Sequence, residues 1–434
     1  MTQENNTIIW TIERVIAHEE QDTYVEVPFD MPERSESVRV SYEVSPLGDG
    51  RCVVDLGIKD ADGIRGWSGG ARKEFVLGLD NATPGYMRGK LQAGTGWAVV
   101  LGAYAIPPEG CRVTVRIECQ LEFYRWLKGD LHTHSVHSDG SFTLEEKVRL
   151  IEEMNGDFVA LTDHNTTSQN LAAPRATSVV TIPGMELTTY YGHCNFLGVD
   201  YPIRDFRANT AEQAKERIRE ARSNGAKIVL NHPHCRNCGW HWGFDVEFDW
   251  VEIWNGPWRE DNRKTLDWWQ GELASGKKIV AVGGSDVHRP EAFVQHCTPT
   301  TWTYSPSRSV EGILQSIDLG RVFLTYAPEG PTIHITSGPY VMGDTVCLED
   351  IRLNGEDAAN YPVQFELNQI QPGDVIKVIS DMGEEYVDTA QETGAKTFTL
   401  PIQNKLFYRV EVWRHFDQAN AMLPAAISNP LYFR

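Results

Sequence analysis

Strand-forming and helix-forming runs alternate between Lys128 and Glu329, whereas the chain on either side is strand-forming almost throughout. That contrast limits the architecture more than any single motif. Alternating β and α runs require helices laid on a sheet, and uninterrupted β runs require sheet packed on sheet. The central spacing predicts strands at 129–134, 157–162, 179–186, 194–199, 226–231, 250–254 and 278–284, with helices near 143–155, 210–224, 261–275 and 308–319. Thr143-Leu-Glu-Glu is a capping box for the first helix, and Gly156, Gly225 and Gly276 stand where helices should stop. Seven strands with interleaved helices predict an α/β fold, a distorted seven-stranded (β/α)7 TIM-like barrel. The segment spans about 200 residues, short for an eightfold barrel of roughly 250.

The flanks predict β-sandwich-like packing. Before the barrel, Thr23-Tyr-Val-Glu-Val-Pro, Cys52-Val-Val-Asp-Leu-Gly and the period-2 run from Cys111 to Cys119 lie between Gly, Pro and Asp punctuation. After it come Thr332-Ile-His-Ile-Thr, Val363-Gln-Phe-Glu-Leu and Tyr408-Arg-Val-Glu-Val-Trp. The expected division is an N-terminal β domain at 1–127, the barrel at 128–329 and a C-terminal β-rich domain at 330–434.

Composition narrows the partners. A formal net charge of −20 argues against a nucleic-acid backbone, which calls for a basic face. No run of 18 apolar residues exists and the first residues carry no basic-then-apolar leader, so a cytoplasmic protein without a membrane span is expected. The eight cysteines are read as free thiols. Cys235-Arg-Asn-Cys238, flanked by His234 and His241, is half of a zinc-site pattern without its second half.

Chemistry concentrates at strand ends. Residues 129–140 place His132 and His134 two apart on an expected strand, where alternate side chains share a face, and Asp139 follows on a turn. Further on, Asp163 and His164, Glu186 and His193, His232 and His234, and Asp286 and His288 each follow or flank a strand end. In α/β barrels that rim is the reactive face. So many nitrogen and oxygen donors exceed what one tetrahedral zinc uses and suit two or three divalent ions such as Mn, Fe or Zn. Such clusters clamp the oxygens of a phosphoryl centre, so hydrolysis of a phosphate ester is the reaction class favoured.

Asp130-Leu-His-Thr-His-Ser with Ser138-Asp-Gly140, then Asp163-His164, Gly184-Met-Glu186, Asn231-His-Pro233 and Ser285-Asp-Val-His288, resemble the ordered motifs of the PHP (polymerase and histidinol phosphatase) superfamily. The resemblance implies a distorted seven-stranded barrel and a metal-dependent phosphoesterase in which a metal-bridged hydroxide attacks phosphorus. It also implies a ligand set. His132, His134, Glu186 and Asp286 would form one metal site, with Glu186 bridging to a second held by His193 and His232. Asp139, His164 and His288 would hold a third. Gly66-Trp-Ser-Gly-Gly-Ala-Arg72 and Ala82-Thr-Pro-Gly-Tyr86 resemble the branch related to carbaryl hydrolase, which carries a β domain ahead of the barrel.

Three residues outside the metal set are catalytic candidates. Asp130 could orient an imidazole or serve a turn. His234 and Arg236 directly follow His232, so contact with substrate oxygens or protonation of a leaving group is open to them; Arg259 and Arg289 are rivals. Trp240, Trp242, Trp254 and Trp258 suit core packing or the wall of an aromatic pocket. The expected partner is a small-molecule substrate, a phosphate mono- or diester, with no nucleic acid and no membrane. A carbamate, ester or amide hydrolase using the same centre is the first alternative, and a catalytically idle metabolite-binding protein the second. Oligomeric state is left open.

Overall fold

Apolar residues at every second position build the first unit, which comprises Met1–Tyr124 with Arg175–Val180 and Pro306–Ser309. Tyr24–Met31 alternates exposed and buried side chains without a break, and Cys111–Leu121 does nearly the same. The computed structural model describes residues 2–4, 6–348, 362–402 and 404–434. Within the first unit one sheet runs in the order Thr2–Glu4, Thr7–Ile16, Cys111–Leu121, Ser35–Pro46, Glu74–Gly78, and a second in the order Tyr24–Met31, Gly94–Ala105, Val53–Lys59, Ile64–Trp67. Val38, Val40, Leu56, Phe75, Leu101 and Val115 belong to one shared core. The two quoted N-terminal motifs meet there as packing. Tyr86 stacks on Phe75 with ring centroids 4.0 Å apart, and a Cβ on Gly66 would run into the Tyr86 ring.

The second unit corrects the expected architecture. A (β/α)7 barrel does not form. The described residues are mostly β, arranged in several sheets, and include five α-helices: Leu144–Glu153, Ser168–Ala172, Ala211–Ser223, Glu260–Ala274 and Val310–Asp318. The large sheet is mixed. Arg125–Asp130 pairs in parallel with Phe158–Leu161, and Trp250–Asn255 does so with both Lys227–Leu230 and Val280–Gly284. In contrast, Val180–Thr189, Gly192–Leu197 and Lys227–Leu230 are joined antiparallel, as are Arg125–Asp130, Thr300–Ser305 and Val322–Thr325. Val180–Thr189 and Gly192–Leu197 are antiparallel neighbours joined by a two-residue turn, Tyr190-Tyr191, which needs no crossover helix.

Val280–Gly284 is the edge strand of this sheet, and beyond Val322–Thr325 the ladder continues into Ala421–Ser428, Phe407–Phe416, Val375–Ser380 and Gly383–Thr389. The side chain of Asn429 bridges the gap between edge and middle. Its Oδ1 accepts from Ala281 N at 2.8 Å, and its Nδ2 donates to Ala281 O at 2.8 Å and Val322 O at 3.1 Å. A four-stranded sheet containing Thr332–Ser337, Val363–Ile370 and Gly394–Leu400 packs over a core of Phe323, Phe365, Tyr408 and Val410. Buried Arg409 lies over Trp269 and reaches Gln270 on Glu260–Ala274, at 2.7 Å. Among the described residues no helix is long and apolar enough to cross a membrane.

Strand boundaries shift in ways that matter for the site. The strand expected at 129–134 is Arg125–Asp130, so His132 and His134 lie beyond it. They flank Thr133, which makes an isolated parallel bridge to Val287. Val180–Thr189 and Gly192–Leu197 are longer than, or offset from, their expected ranges, so Glu186 and His193 sit within strands and not past them.

Candidate metal centre

Asp130 ties the two ends of the site together. Its buried carboxylate accepts from the backbone N–H groups of His132 at 3.2 Å, Ser285 at 3.0 Å and Cys297 at 2.8 Å. These bonds hold the His132 and Asp286 segments side by side; the carboxylate is used by backbone amides and does not orient an imidazole. Thr133 is fixed as well. It donates to Ala160 O at 2.6 Å and accepts from buried Lys147 Nζ at 2.9 Å. The segment that displays His132 and His134 is therefore pinned from the sheet below and from the first helix.

Glu186 is the centre of convergence, fully buried within Val180–Thr189. Its Oε1 lies 3.3 Å from His132 Nε2, 3.3 Å from His193 Nδ1 and 3.8 Å from His232 Nε2. Its Oε2 lies 3.6 Å from His134 Nε2 and 2.7 Å from His164 Nδ1. Asp286 Oδ1 faces two of these imidazoles as well, at 3.4 Å from His132 Nε2 and 3.0 Å from His134 Nε2. At the outer end Asp139 Oδ1 is 3.6 Å from His164 Nε2 and 3.4 Å from His288 Nε2. The Asp139 side chain is 60% exposed, so this end opens to solvent. Among the described residues four clusters have ligand atoms within 4.8 Å of one another: His132 with His134 and Asp286, His132 with His232 and Glu252, His193 with His232 and Cys238, and His134 with Asp139, His164 and His288. All nine sequence-predicted donors thus lie in one connected group.

Local backbone strain marks the same place. His232 has φ 29° and Asp286 φ 54°, left-handed values that are uncommon outside glycine. Electrostatics agree with a cation-binding role. Burial opposes the charge on Glu186, yet the facing imidazoles of His132, His164 and His193 hold its carboxyl well below the usual range. Burial also opposes a charged His132, but Asp286, Glu252 and Glu186 outweigh it and push that imidazole well above its ordinary value. At His134 burial prevails and lowers the value to about 4. His132 Nε2 is buried without a hydrogen-bond partner while aimed at two carboxylates. An orphan ring nitrogen between carboxylate oxygens is the environment a divalent ion satisfies.

Several residues support the donors, and one of them, Glu252, stands in none of the motifs. Glu252 sits in the apolar run Trp250–Asn255, and its Oε1 lies 3.0 Å from His132 Nδ1 while Oε2 accepts from His232 N at 3.0 Å. It takes the imidazole-orienting role considered for Asp130. Asn231 Nδ2 donates to Glu186 Oε1 at 2.8 Å and to Asn195 Oδ1 at 2.9 Å. Asp163 accepts from Ser135 N, Ser135 Oγ and Ser138 Oγ, and so shapes the turn before Asp139. The structure does not bring His234 and Arg236 into the group. His234 Nδ1 lies 3.2 Å from Thr265 Oγ1, with its ring against Phe244 and Trp268, and Arg236 is exposed. Arg259 lies nearer: its Nη2 donates to Asn255 Oδ1 at 3.2 Å, and Asn255 Nδ2 donates to Asp286 Oδ2 at 3.2 Å.

No family model matches the chain. A curated relative, the 5'-3' exoribonuclease Rnm of Salmonella typhimurium, is 36% identical over 102 residues. The match covers 21% of this chain and 35% of that protein, so the chain spans only about a third of its relative's length. Among solved structures, a two-domain protein from Bacteroides vulgatus containing a predicted PHP-like metal-dependent phosphoesterase is 17% identical, with a TM-score of 0.41 over 70% of this chain and 95% of that one. An amidohydrolase from Chromobacterium violaceum is 17% identical, with a TM-score of 0.29 over 38% and 89%. A proposed metal-dependent phosphoesterase from Bifidobacterium adolescentis is 15% identical, with a TM-score of 0.27 over 38% and 91%.

Proposed function

We propose that this chain is a metal-dependent hydrolase of the PHP type that cleaves a phosphate mono- or diester of a small molecule. The observation that carries the reading is the buried carboxylate of Glu186, with imidazoles facing both of its oxygens. His132, His134, Glu186 and Asp286 would hold one divalent ion, Glu186 with His193 and His232 a second, and Asp139, His164 and His288 a third. Mn, Fe or Zn suits this nitrogen and oxygen set. When bound, such ions acidify water and neutralise charge on phosphoryl oxygens. The chain's own part is positional. Glu252 orients His132 and the His232 backbone, Asn231 orients Glu186, and Asp130 fixes the spacing between the two halves. Arg259, linked through Asn255 to Asp286, would offer its guanidinium to a phosphate oxygen.

A hydrolysis panel on Mn²⁺-loaded protein tests this. Nitrophenyl mono- and diphosphate esters are run beside naphthyl carbamate and acetate, and the likeness to an exoribonuclease adds a 5'-phosphorylated RNA oligonucleotide. Phosphate turnover is expected, lost in His132→Ala and lowered in Arg259→Ala with Arg236→Ala nearly unaffected. Turnover at the carbonyl substrates alone would overturn the phosphoesterase reading.

A further inference from the structure

The His193–His232 position has a sulfur neighbour that phosphoesterase chemistry does not require. Cys238 Sγ lies 3.6 Å from His232 Nδ1, the ring nitrogen opposite the one facing Glu186. Cys235 Sγ is 2.8 Å from Cys238 Sγ, and both residues are half-buried. The loop keeps them there. Cys235 N donates to His232 O at 2.9 Å and Trp240 N donates to Pro233 O at 2.9 Å. A Cβ on Gly239 would meet Cys235 O at 2.5 Å and Pro233 O at 2.9 Å, so the turn closes only with glycine there. A sulfur against the outer nitrogen of a ligating imidazole acts as its hydrogen-bond partner, and removing such a partner typically costs about 10- to 100-fold in metal affinity.

We propose that Cys235 and Cys238 form a reversible thiol–disulfide switch on metal occupancy at the His193–His232 position, a regulation that rests on the metallohydrolase reading. In the reduced form the Cys238 sulfur accepts from His232 Nδ1 and holds the ring. A low-molecular-weight disulfide such as oxidised glutathione supplies the oxidant. The Cys235 thiolate attacks one glutathione sulfur and expels a glutathione thiolate; the Cys238 thiolate then attacks the Cys235 sulfur of the mixed disulfide and expels the second. Two electrons pass from the protein thiols to the oxidant, and the two thiol protons end on the two glutathiones. Oxidation makes the Cys238 sulfur a poorer acceptor for His232 Nδ1 and draws it toward Cys235, from 2.8 Å to bonding distance.

The test counts bound Mn²⁺ by elemental analysis and free thiols by a colorimetric reagent, before and after treatment with oxidised glutathione. Expected is the loss of two thiols together with a 10- to 100-fold weaker Mn²⁺ affinity at one position, restored by dithiothreitol. Cys235→Ser keeps the metal and becomes insensitive to the oxidant, with circular dichroism confirming its fold. Loss of two thiols with unchanged Mn²⁺ content, or an unaltered response in Cys235→Ser, overturns the switch alone. Protein that binds no Mn²⁺ in either redox state overturns the switch and the hydrolase reading together.

Discussion

Glu252 lies in a run of apolar strand residues, and at the residue scale it is the strongest test of how the centre is held. Its two oxygens serve His132 Nδ1 and His232 N. Glu252→Gln preserves shape but removes the charge, and calorimetric titration with Mn²⁺ should show about 10- to 100-fold weaker binding; unchanged affinity would refute the orienting role. The donors themselves were legible because His and acid pairs recur in order along the sequence. The support from Glu252 was not, because it acts through a contact 120 residues away. His296 offers a pH test away from the donors. It is 2% exposed, and burial, aided by the charge of Lys147, lowers its value from 6.5 to about 3. The unfolded chain therefore binds the proton more readily between those values. Stability from a neutral His296 is complete above pH 6.5 and is lost as pH falls toward 3. In metal-free protein, urea melts of His296→Gln should show a shallower decline over that window, by up to about 1.4 kcal/mol per pH unit; parallel declines would refute it.

At the scale of elements, helices were easier to read than strand partners. Thr143 accepts from Glu146 N while Glu146 returns a bond to Thr143 N, the reciprocal cap its spacing suggested. Strand direction is set by distant partners and leaves no local period. Phe158–Leu161 is buried at every position, so its alternation carries no signal. Thr300–Ser305 was missed because its threonines look solvated, whereas Thr301 Oγ1 is buried and bonds to Gly283. The capped helix carries Lys147, which pins Thr133 between His132 and His134. Thr143→Ala should lower stability by about 1 kcal/mol in a urea melt and leave Mn²⁺ affinity nearly unchanged. A comparable loss of metal affinity would mean that the cap, and not the sheet, sets the histidine spacing.

On the scale of the second unit, the flanking strands are continuous with the sheet that bears the site. Val322–Thr325 pairs with Ala421–Ser428, and Asn429 joins both Val322 and the edge strand through three buried bonds. Asn429→Ala should cost about 3 kcal/mol, at roughly 1 kcal/mol for each bond lost. A urea midpoint unchanged from the parent would show that the edge strand is held by other contacts. This continuity could not be read from texture, since a return to β residues after Gly330 signals a change of layer and not which ladder the new strands join.

The tie made by Asp130 also has a consequence in time. Its partner Ser285 lies 155 residues later, and His134 meets Asp286 across 152. A ribosome finishes the histidine pair long before it makes the acid that completes it. Contacts of such long sequence separation slow folding, so the donor group as a whole is completed only after the segment carrying Ser285 and Asp286 has been made.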